Sequence, residues 1–154
     1  CEYIDQSIPI SFYQAHSNID IQTRKFIYLF DKWVNNSDRT LSINGLGNVN
    51  LLFNVLSNRY YLIDHNLAFF HDYHQEEFES HVYCPNHRNW TYDLVDTQDF
   101  RDRLNHAVAD FDGLVSSIPD DWKLDDPETQ EVFLNFLKTT LERATSDEFW
   151  SNLI

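Results

Sequence analysis

The stretch VNLLFNVLSNRYYLID, residues 49–64, decides the fold of the region around it. Its two apolar parts, Val49–Val55 and Tyr60–Ile63, are rich in the aliphatic and aromatic residues that favour β-strands. The polar segment 56–59 between them has the composition of a turn. The pattern therefore predicts a β-hairpin, and it places an acidic residue, Asp64, directly after the second strand.

Helical patterns lie on both sides of this hairpin. Residues 22–35 carry one apolar stripe at steps of three and four, which predicts a helix that ends near Asn35–Ser37. The stripe consists of Phe26, Leu29, Phe30, Trp33 and Val34. Residues 37–48 are predicted to be a loop, and residues 64–96 a long irregular stretch that contains five of the seven histidines. No regular element is assigned to residues 1–21.

The last third of the chain is predicted to be helical. A sustained apolar face runs from Phe100 to Ile118 and stops at Pro119, and a second helix begins at Asp126-Pro127 with an acidic cap and a proline in the first turn. A short final helix is expected through Phe149 and Leu153. The expected fold class is mainly α with a small β-hairpin.

Composition limits the partners of this chain. It has 11 basic and 25 acidic side chains among 154 residues, a formal net charge of −14. Such a chain is a poor ligand for nucleic acids or anionic membranes, which require clustered Lys and Arg. The only cysteines, Cys1 and Cys84, are too few for a disulfide framework, which favours the cytoplasm. No apolar run reaches the ~18–20 residues of a membrane span.

Carboxylates and amides flank the hairpin at both ends. Asp38 follows the predicted helix, Asn48 and Asn50 lie at the start of the first strand, and Asp64 follows the second. If the hairpin folds back, these groups converge. Phosphoryl transfer needs this set, because one carboxylate accepts the proton of the acceptor hydroxyl while amide and carboxylate oxygens bind Mg²⁺.

Three short motifs occur in the order of a known family. Asn36-Ser37-Asp38-Arg39, then Asn48-Val49-Asn50-Leu51-Leu52, then Leu62-Ile63-Asp64-His65 resemble the N-x-D-R, N-P-N-L-L and L-I-D-H words of a short group of HipA-like kinases. The segment Ser117–Trp122 resembles that group's I-P-x-x-W. The resemblance spans residues 26–71 closely and 100–122 loosely, and it implies a bacterial Ser/Thr protein kinase that uses ATP and Mg²⁺.

The resemblance assigns a role to each matching position. Asp38 matches the catalytic Asp, Asn48 the Mg²⁺-binding Asn, with Asn50 as the alternative, and Asp64 the second metal-binding residue. The chain departs from the family pattern in three ways: Leu41–Gly47 resembles an insertion, Val49 replaces a proline, and Asn66 replaces a glycine. The neighbouring Arg39 either pairs with an acidic group or reaches a phosphate.

The resemblance covers the C-terminal catalytic lobe of a kinase. We expect a single domain over 1–154, with a catalytic loop, hairpin and metal-binding turn at 37–70 and a helical part at 97–154. No Gly-rich loop precedes Asp38, and Lys25 and Lys32 lie on the helix before it. A nucleotide-binding N-terminal lobe is therefore expected from another part of the gene product or from a second chain.

Two alternatives to the kinase lobe follow from the same residues. The first is a non-catalytic, kinase-derived module that binds a protein partner through the face left by the missing lobe. The second is a zinc protein, since His71, His74, His81, Cys84 and His87 are ligand types that zinc favours, although their spacing matches no established zinc pattern.

Overall fold

The computed structural model describes residues 4–40, 48–71 and 74–153. The chain forms two compact units, Cys1–Asn89 and Trp90–Ile154. The fold is mainly helical with one small antiparallel sheet in the first unit, as the sequence predicted. The predicted single domain over 1–154 stays a prediction, and so do its internal boundaries at 37–70 and 97–154.

The sheet has three strands in the order β1-β2-β3: β1 (Ser7–Pro9), β2 (Leu51–Asn54) and β3 (Arg59–Leu62). Leu51 pairs with Leu62 in the β2–β3 hairpin, so the predicted hairpin is confirmed, with a shorter first strand and a second strand that begins one residue earlier. The sequence did not indicate β1, which is three residues long and contains a proline. Pro9 is tolerated there because β1 is an edge strand.

Two capped helices precede the hairpin. Helix α1 (Phe12–Ser17) begins after Ser11, whose hydroxyl and backbone form a capping box with Gln14. Helix α2 (Ile21–Trp33) is capped by Asp20, and a positive φ of 56° at Asn35 directs the chain away from the helix axis. The end of the predicted helix over 22–35 is thus confirmed.

The buried face of α2 is wider than the predicted stripe. Ile27 and Tyr28 lie outside that stripe, yet both are buried. Phe30 belongs to the stripe but is only half-buried. The C-terminal half of α2 also buries charged residues, among them Asp31, and these become important at the candidate site.

The irregular stretch after the hairpin contributes to the core of the first unit. A 3₁₀ helix (Gln75–Ser80) and helix α3 (Pro85–Arg88) bracket a short turn segment, residues 81–84, in which the Cys84 amide donates to the His81 carbonyl at 2.9 Å. Val82 and Tyr83 in that segment have no exposed surface, and Tyr83 donates its hydroxyl proton to the carbonyl of Ala15 at 3.2 Å. This stretch shows no periodic pattern in the sequence, because buried turns and short helices alternate too quickly.

The second unit is helical in all of its regular elements. These are α4 (Leu94–Ala109), α5 (Phe111–Ser116), a 3₁₀ turn (Asp120–Trp122), α6 (Pro127–Glu142), a second 3₁₀ turn (Arg143–Thr145) and α7 (Asp147–Ser151). Asp126 caps α6 by accepting from the amide of Thr129 at 2.8 Å, as expected.

The helical face predicted from Phe100 to Ile118 is interrupted. The backbone leaves helical geometry at Asp110, where α4 ends and α5 begins. Helix α4 also starts earlier than the apolar pattern suggested, because the Asp93 side chain accepts from the amides of Val95 and Asp96 and caps it. Among the residues described, every helix is too short or too polar to cross a membrane.

Candidate functional site

A buried ion pair joins α2 to the loop that follows it. The Arg39 guanidinium donates from Nε to Asp31 Oδ2 at 2.7 Å, and neither side chain has any exposed surface. Asn36 Nδ2 donates to the other oxygen, Asp31 Oδ1, at 2.8 Å. The Asp31 carboxylate is therefore neutralised and hydrogen-bonded on both oxygens, which is the condition under which a buried charge is tolerated.

His81 completes this network as a neutral ring. Its Nδ1 accepts from the amide of Tyr83 at 3.0 Å, so its proton is on Nε2, which donates to Asp31 Oδ2 at 3.0 Å. Complete burial holds the pKa of His81 below its usual value, although the Asp31 carboxylate acts in the opposite direction. Both remaining lone pairs on Asp31 Oδ2 are thus used by Arg39 and His81.

The other end of the Arg39 guanidinium reaches the hairpin. Nη1 donates to the carbonyl of Asn50 at 2.6 Å and to the carbonyl of Ile63 at 3.2 Å. Nη2 lies 3.0 Å from His65 Nε2. Because Arg has no acceptor, His65 Nε2 accepts and its ring is neutral. Arg39 therefore joins the residue that precedes β2 and both neighbours of Asp64 to the core.

Asp38, next to Arg39 in sequence, lies in the hydrogen-bonding range of two amides. Its Oδ2 accepts from Asn50 Nδ2 at 2.6 Å and from Asn48 Nδ2 at 3.3 Å. Asn50 is half-buried and has a positive φ of 49°, a conformation that Asn adopts more readily than most residues. The hairpin thus brings both asparagines to the Asp38 carboxylate.

Asp64 lies at a tight turn after β3. Its φ is 57° and its side chain is exposed. The amide of Ile63, just before it, donates to the carbonyl of Asn50 at 3.1 Å. The amide of Phe69 donates to the carbonyl of Val34 at 2.6 Å, which fixes the segment after the turn to the end of α2. Asp64 is therefore an exposed carboxylate on a backbone that is fixed on both sides.

His65, on the other side of Asp64, titrates below neutral pH. Partial burial lowers the pKa of His65 most, and the positive charge of Arg39 lowers it further. The His65 ring also packs edge-to-face against Phe30, with ring centroids 5.6 Å apart. His65 therefore remains neutral at pH 7 and keeps its hydrogen bond with Arg39.

An open pocket of about 270 Å³ lies beside the Asp38 loop. Two of its lining residues, Ser37 and Thr40, flank Asp38 in sequence, and two more come from the segment after Asp64. The lining residues are Ser37, Thr40, Leu67, Phe70, Glu77 and Ser80. The pocket therefore combines a mixed apolar and acidic lining with the loop that carries the candidate base.

A family model described as HipA-like kinase matches residues 1–153. The chain belongs to the HipA-like kinase family. This confirms the family resemblance inferred from the motifs, and the match extends well beyond the segments 26–71 and 100–122 that carried it. No curated protein and no solved structure gives a significant match.

The structure of this HipA-like chain brings three of the four predicted site residues into direct contact: Asp38, Asn48 and Asn50. The fourth, Asp64, is connected to them through Arg39, which bonds the backbone of its neighbour Ile63. The roles assigned to all four stay predictions. The predicted insertion Leu41–Gly47 lies outside the described residues.

Sequence reasoning missed the partners of Arg39. Asp31 lies one helical turn from Ile27 and Tyr28 on the buried face of α2, outside the predicted apolar stripe, and a buried carboxylate requires a partner such as a cation. His81 gave no comparable signal, because it lies 50 residues from Asp31. Of the two possibilities for Arg39, the structure supports the pairing with an acidic group.

The histidines and Cys84 proposed as zinc ligands do not form one group among the described residues. His81 is buried against Asp31 in the core. Cys84 and His87 lie together with Glu79, which the sequence pattern had not included. The original five-residue set is therefore not assembled as a single site.

Proposed function

We propose that this HipA-like chain carries the catalytic lobe of a Ser/Thr protein kinase, which transfers the γ-phosphoryl group of ATP to a protein hydroxyl. A nucleotide-binding N-terminal lobe would be supplied by the same gene product or by a second chain. The observation that carries the proposal is the contact of the Asp38 carboxylate with Asn50 and Asn48, at 2.6 and 3.3 Å, beside a turn that presents Asp64.

Asp38 is the proposed catalytic base. It would accept the proton of the acceptor hydroxyl while the hydroxyl oxygen bonds to the γ-phosphorus, and ADP would leave with the electrons of the broken P–O bond. The two amide contacts orient the carboxylate, since both donate to the same oxygen, Oδ2. Oδ1 accepts no hydrogen bond from the described residues and would face the acceptor.

The residues around Asp38 have the chemistry that Mg²⁺ requires. Asn48 and Asn50 donate through Nδ2, so their side-chain oxygens point elsewhere and accept no hydrogen bond from the described residues. Asp64 adds an exposed carboxylate. Amide and carboxylate oxygens together with phosphate are typical ligands of Mg²⁺. Asp64 and Asn48, or Asn50 in its place, would hold the ion, which would neutralise phosphate charge when bound.

The acceptor segment would enter through the pocket beside the Asp38 loop. Leu67 and Phe70 offer apolar contact, and Glu77 offers a negative charge. A pocket of about 270 Å³ accommodates one or two side chains rather than a whole folded surface. This supports a flexible peptide segment as the acceptor.

A non-catalytic, partner-binding module is the second candidate, and the lysines favour it. Lys25 and Lys32 are buried in α2, and Lys32 lies 4.8 Å from the centre of the Phe78 ring. Lys123 pairs with Asp120, and Lys138 with Asp112. All four are therefore committed within the chain, and a lysine that binds ATP phosphates would come from elsewhere.

Metal-dependent nucleotide binding separates these two functions. We will record side-chain amide NMR signals of Asn48 and Asn50 during titration with Mn²⁺ and ATP, because paramagnetic Mn²⁺ broadens nearby signals. We expect selective broadening that disappears in Asp64→Asn and persists in Asp121→Asn, an exposed acidic control in the second unit. The titration is carried out with the nucleotide-binding lobe present, and absence of broadening in that unmodified assembly would contradict the metal site and favour the partner-binding module.

Transfer itself is tested in the complete natural gene product with γ-labelled ATP and a Ser/Thr peptide array. Asp38→Asn should lower the rate by roughly 10²–10⁴-fold, the usual contribution of a positioned general base. Nucleotide binding should change little, because Asp38 is not a proposed metal ligand. Equal rates for Asp38→Asn and Asp121→Asn would refute the assignment of Asp38.

A further inference from the structure

Glu79, Cys84 and His87 form a cluster of metal-ligating groups away from the Asp38 site. One ligand atom from each lies within 4.8 Å of the other two. Glu79 belongs to the 3₁₀ helix Gln75–Ser80, Cys84 is the residue that precedes α3, and His87 lies within α3. The cluster therefore spans two elements joined by the buried segment around Val82 and Tyr83.

The spacing of these atoms is close to that of a tetrahedral zinc site. Zn²⁺ binds Cys sulfur at about 2.3 Å and His nitrogen or carboxylate oxygen at about 2.0–2.2 Å, so ligand atoms in a tetrahedron are about 3.3–3.7 Å apart. His87 Nε2 lies 3.8 Å from Glu79 Oε2. Since the side chains of Glu79 and His87 are more than half exposed, both can rotate to close the remaining gap.

Cys84 and His87 reach the same point because of the start of α3. Residues separated by three positions share one face of a helix, and Pro85 at the first helical position fixes the backbone between them. Burial raises the pKa of the Cys84 thiol, and the backbone amides of Asn86 and His87 partly offset that rise. The Cys84 side chain makes no capping hydrogen bond with them, so these amides would favour the thiolate that a metal needs through their partial positive charge.

Asn86 supports the carboxylate ligand. Its Nδ2 donates to Glu79 Oε1 at 3.3 Å, which leaves Oε2 as the oxygen that approaches His87. A hydrogen bond of this kind to a carboxylate that ligates metal orients it and strengthens binding. Four consecutive residues of the sequence, Cys84–His87, thus provide two ligands, a rigid proline and a supporting amide.

We propose that Glu79, Cys84 and His87 form a Zn²⁺ site with a water molecule in the fourth position. Binding would release the Cys84 thiol proton to solvent, and His87 would ligate as the neutral imidazole. The metal would link the 3₁₀ helix to α3. Phe78 directly precedes Glu79 in the sequence, and His81 lies between Glu79 and Cys84. The metal link would therefore also restrain the segment from which His81 contacts Asp31. The site is independent of the proposed kinase function.

Zinc affinity will be measured on the complete chain by competition with a chromophoric chelator. We expect one Zn²⁺ per chain, with affinity at least ~10-fold weaker in Glu79→Gln and His87→Ala, since each removes a direct ligand. Both positions are exposed, so the variants should fold. Matched controls are Glu76→Gln, an exposed Glu on the same 3₁₀ helix, and His106→Ala, an exposed His on α4.

Two further measurements address Cys84, which is buried and whose replacement can perturb packing. Co²⁺ in place of Zn²⁺ should give a thiolate-to-metal charge-transfer band that Cys84→Ser lacks. Zn²⁺ should also raise the Tm of the unmodified chain and leave that of His87→Ala unchanged. Wild-type affinity in all three ligand variants, or no Zn²⁺ bound by the unmodified chain, would overturn the proposal and leave Glu79 and His87 as a surface pair.

Discussion

Replacing Arg39 with methionine tests whether the buried ion pair holds the candidate site together. Arg39 has no exposed surface and bonds Asp31, two hairpin carbonyls and His65. Methionine is similar in length and is uncharged, so it fills much of the space without replacing any of these bonds. The loss should therefore reflect the polar contacts rather than a cavity.

The size of the stability loss in Arg39→Met follows from the polar groups that lose Arg39 as a partner. Removing one member of a buried ion pair usually costs about 3–5 kcal/mol, because the other charge remains uncompensated. Asn36 and His81 still donate to Asp31, which favours the lower end of this range of energetic cost. The Ile63 carbonyl loses the bond from Arg39, at about 1–3 kcal/mol, while the Asn50 carbonyl keeps the Ile63 amide. These two costs overlap, and we expect Arg39→Met to lower the free energy of unfolding by about 3–5 kcal/mol in total.

The double variant Asp31→Asn/Arg39→Met provides the sharper comparison. Its neutral amide has the shape of the carboxylate but leaves no buried charge without a partner. We therefore expect the double variant to be more stable than Arg39→Met alone. A double-mutant cycle with both single variants then gives the coupling between Asp31 and Arg39.

Hydrogen exchange followed by mass spectrometry is the appropriate assay, because the chain has two units and a single unfolding transition is not assured. Peptides covering residues 31–40 and 50–65 should exchange much faster in Arg39→Met, while peptides from 94–142 should change little. Urea unfolding of the same variants gives the free energies. A loss below about 1 kcal/mol would refute the claim that Arg39 joins the hairpin to the core, since surface substitutions cause changes of that size.

Two further predictions concern capping and histidine titration in the first unit. Asp20→Ala should lower the free energy of unfolding by about 1 kcal/mol in urea titrations, because Asp20 accepts from the Thr23 amide at 2.9 Å and caps α2. The Asp20→Asn variant should lose less stability. Equal stability of the unmodified chain and both variants would contradict the cap. His16 should titrate by NMR near pH 4, since burial and then the charges of Arg88 and Arg24 lower its pKa to about 4. The contribution of His16 to stability is therefore complete above its unfolded pKa of about 6.5 and is lost as the pH falls towards 4. A titration midpoint near pH 6.5 would refute this prediction.

The elements that the sequence predicted are those set by local chemistry. The β2–β3 hairpin, the cap at Asp126 and the end of α2 just before Asn35 depend on residues within a few positions of one another. The break at Asp110 was missed because the apolar residues keep helical spacing across it, so periodicity alone does not reveal a change in backbone direction. Strand β1 is too short to show any alternation.

The candidate site was likewise predictable from the sequence only in part. Asp38, Asn48, Asn50 and Asp64 could be selected because three short motifs occur in the right order. The network beneath them could not, because His81 meets Asp31 across 50 positions of a stretch that has no periodic pattern. Long-range polar pairs of this kind are chosen by packing, and one sequence records only the residue types.

The adjacent residues Asp38 and Arg39 have separate proposed roles, Asp38 in phosphoryl transfer and Arg39 in folding. The Asp38 side chain is partly exposed, and within the described residues its hydrogen bonds come from the two asparagine amides. Arg39, in contrast, is buried and bonds backbone carbonyls at both ends of the hairpin. Loss of phosphoryl transfer in an Arg39 variant would therefore follow from displacement of Asn50 and Asp64, with no contact between Arg39 and a substrate. Substitutions at Asp38 and Asp64 leave the buried ion pair intact, and they are the changes whose effects on rate can be assigned to chemistry.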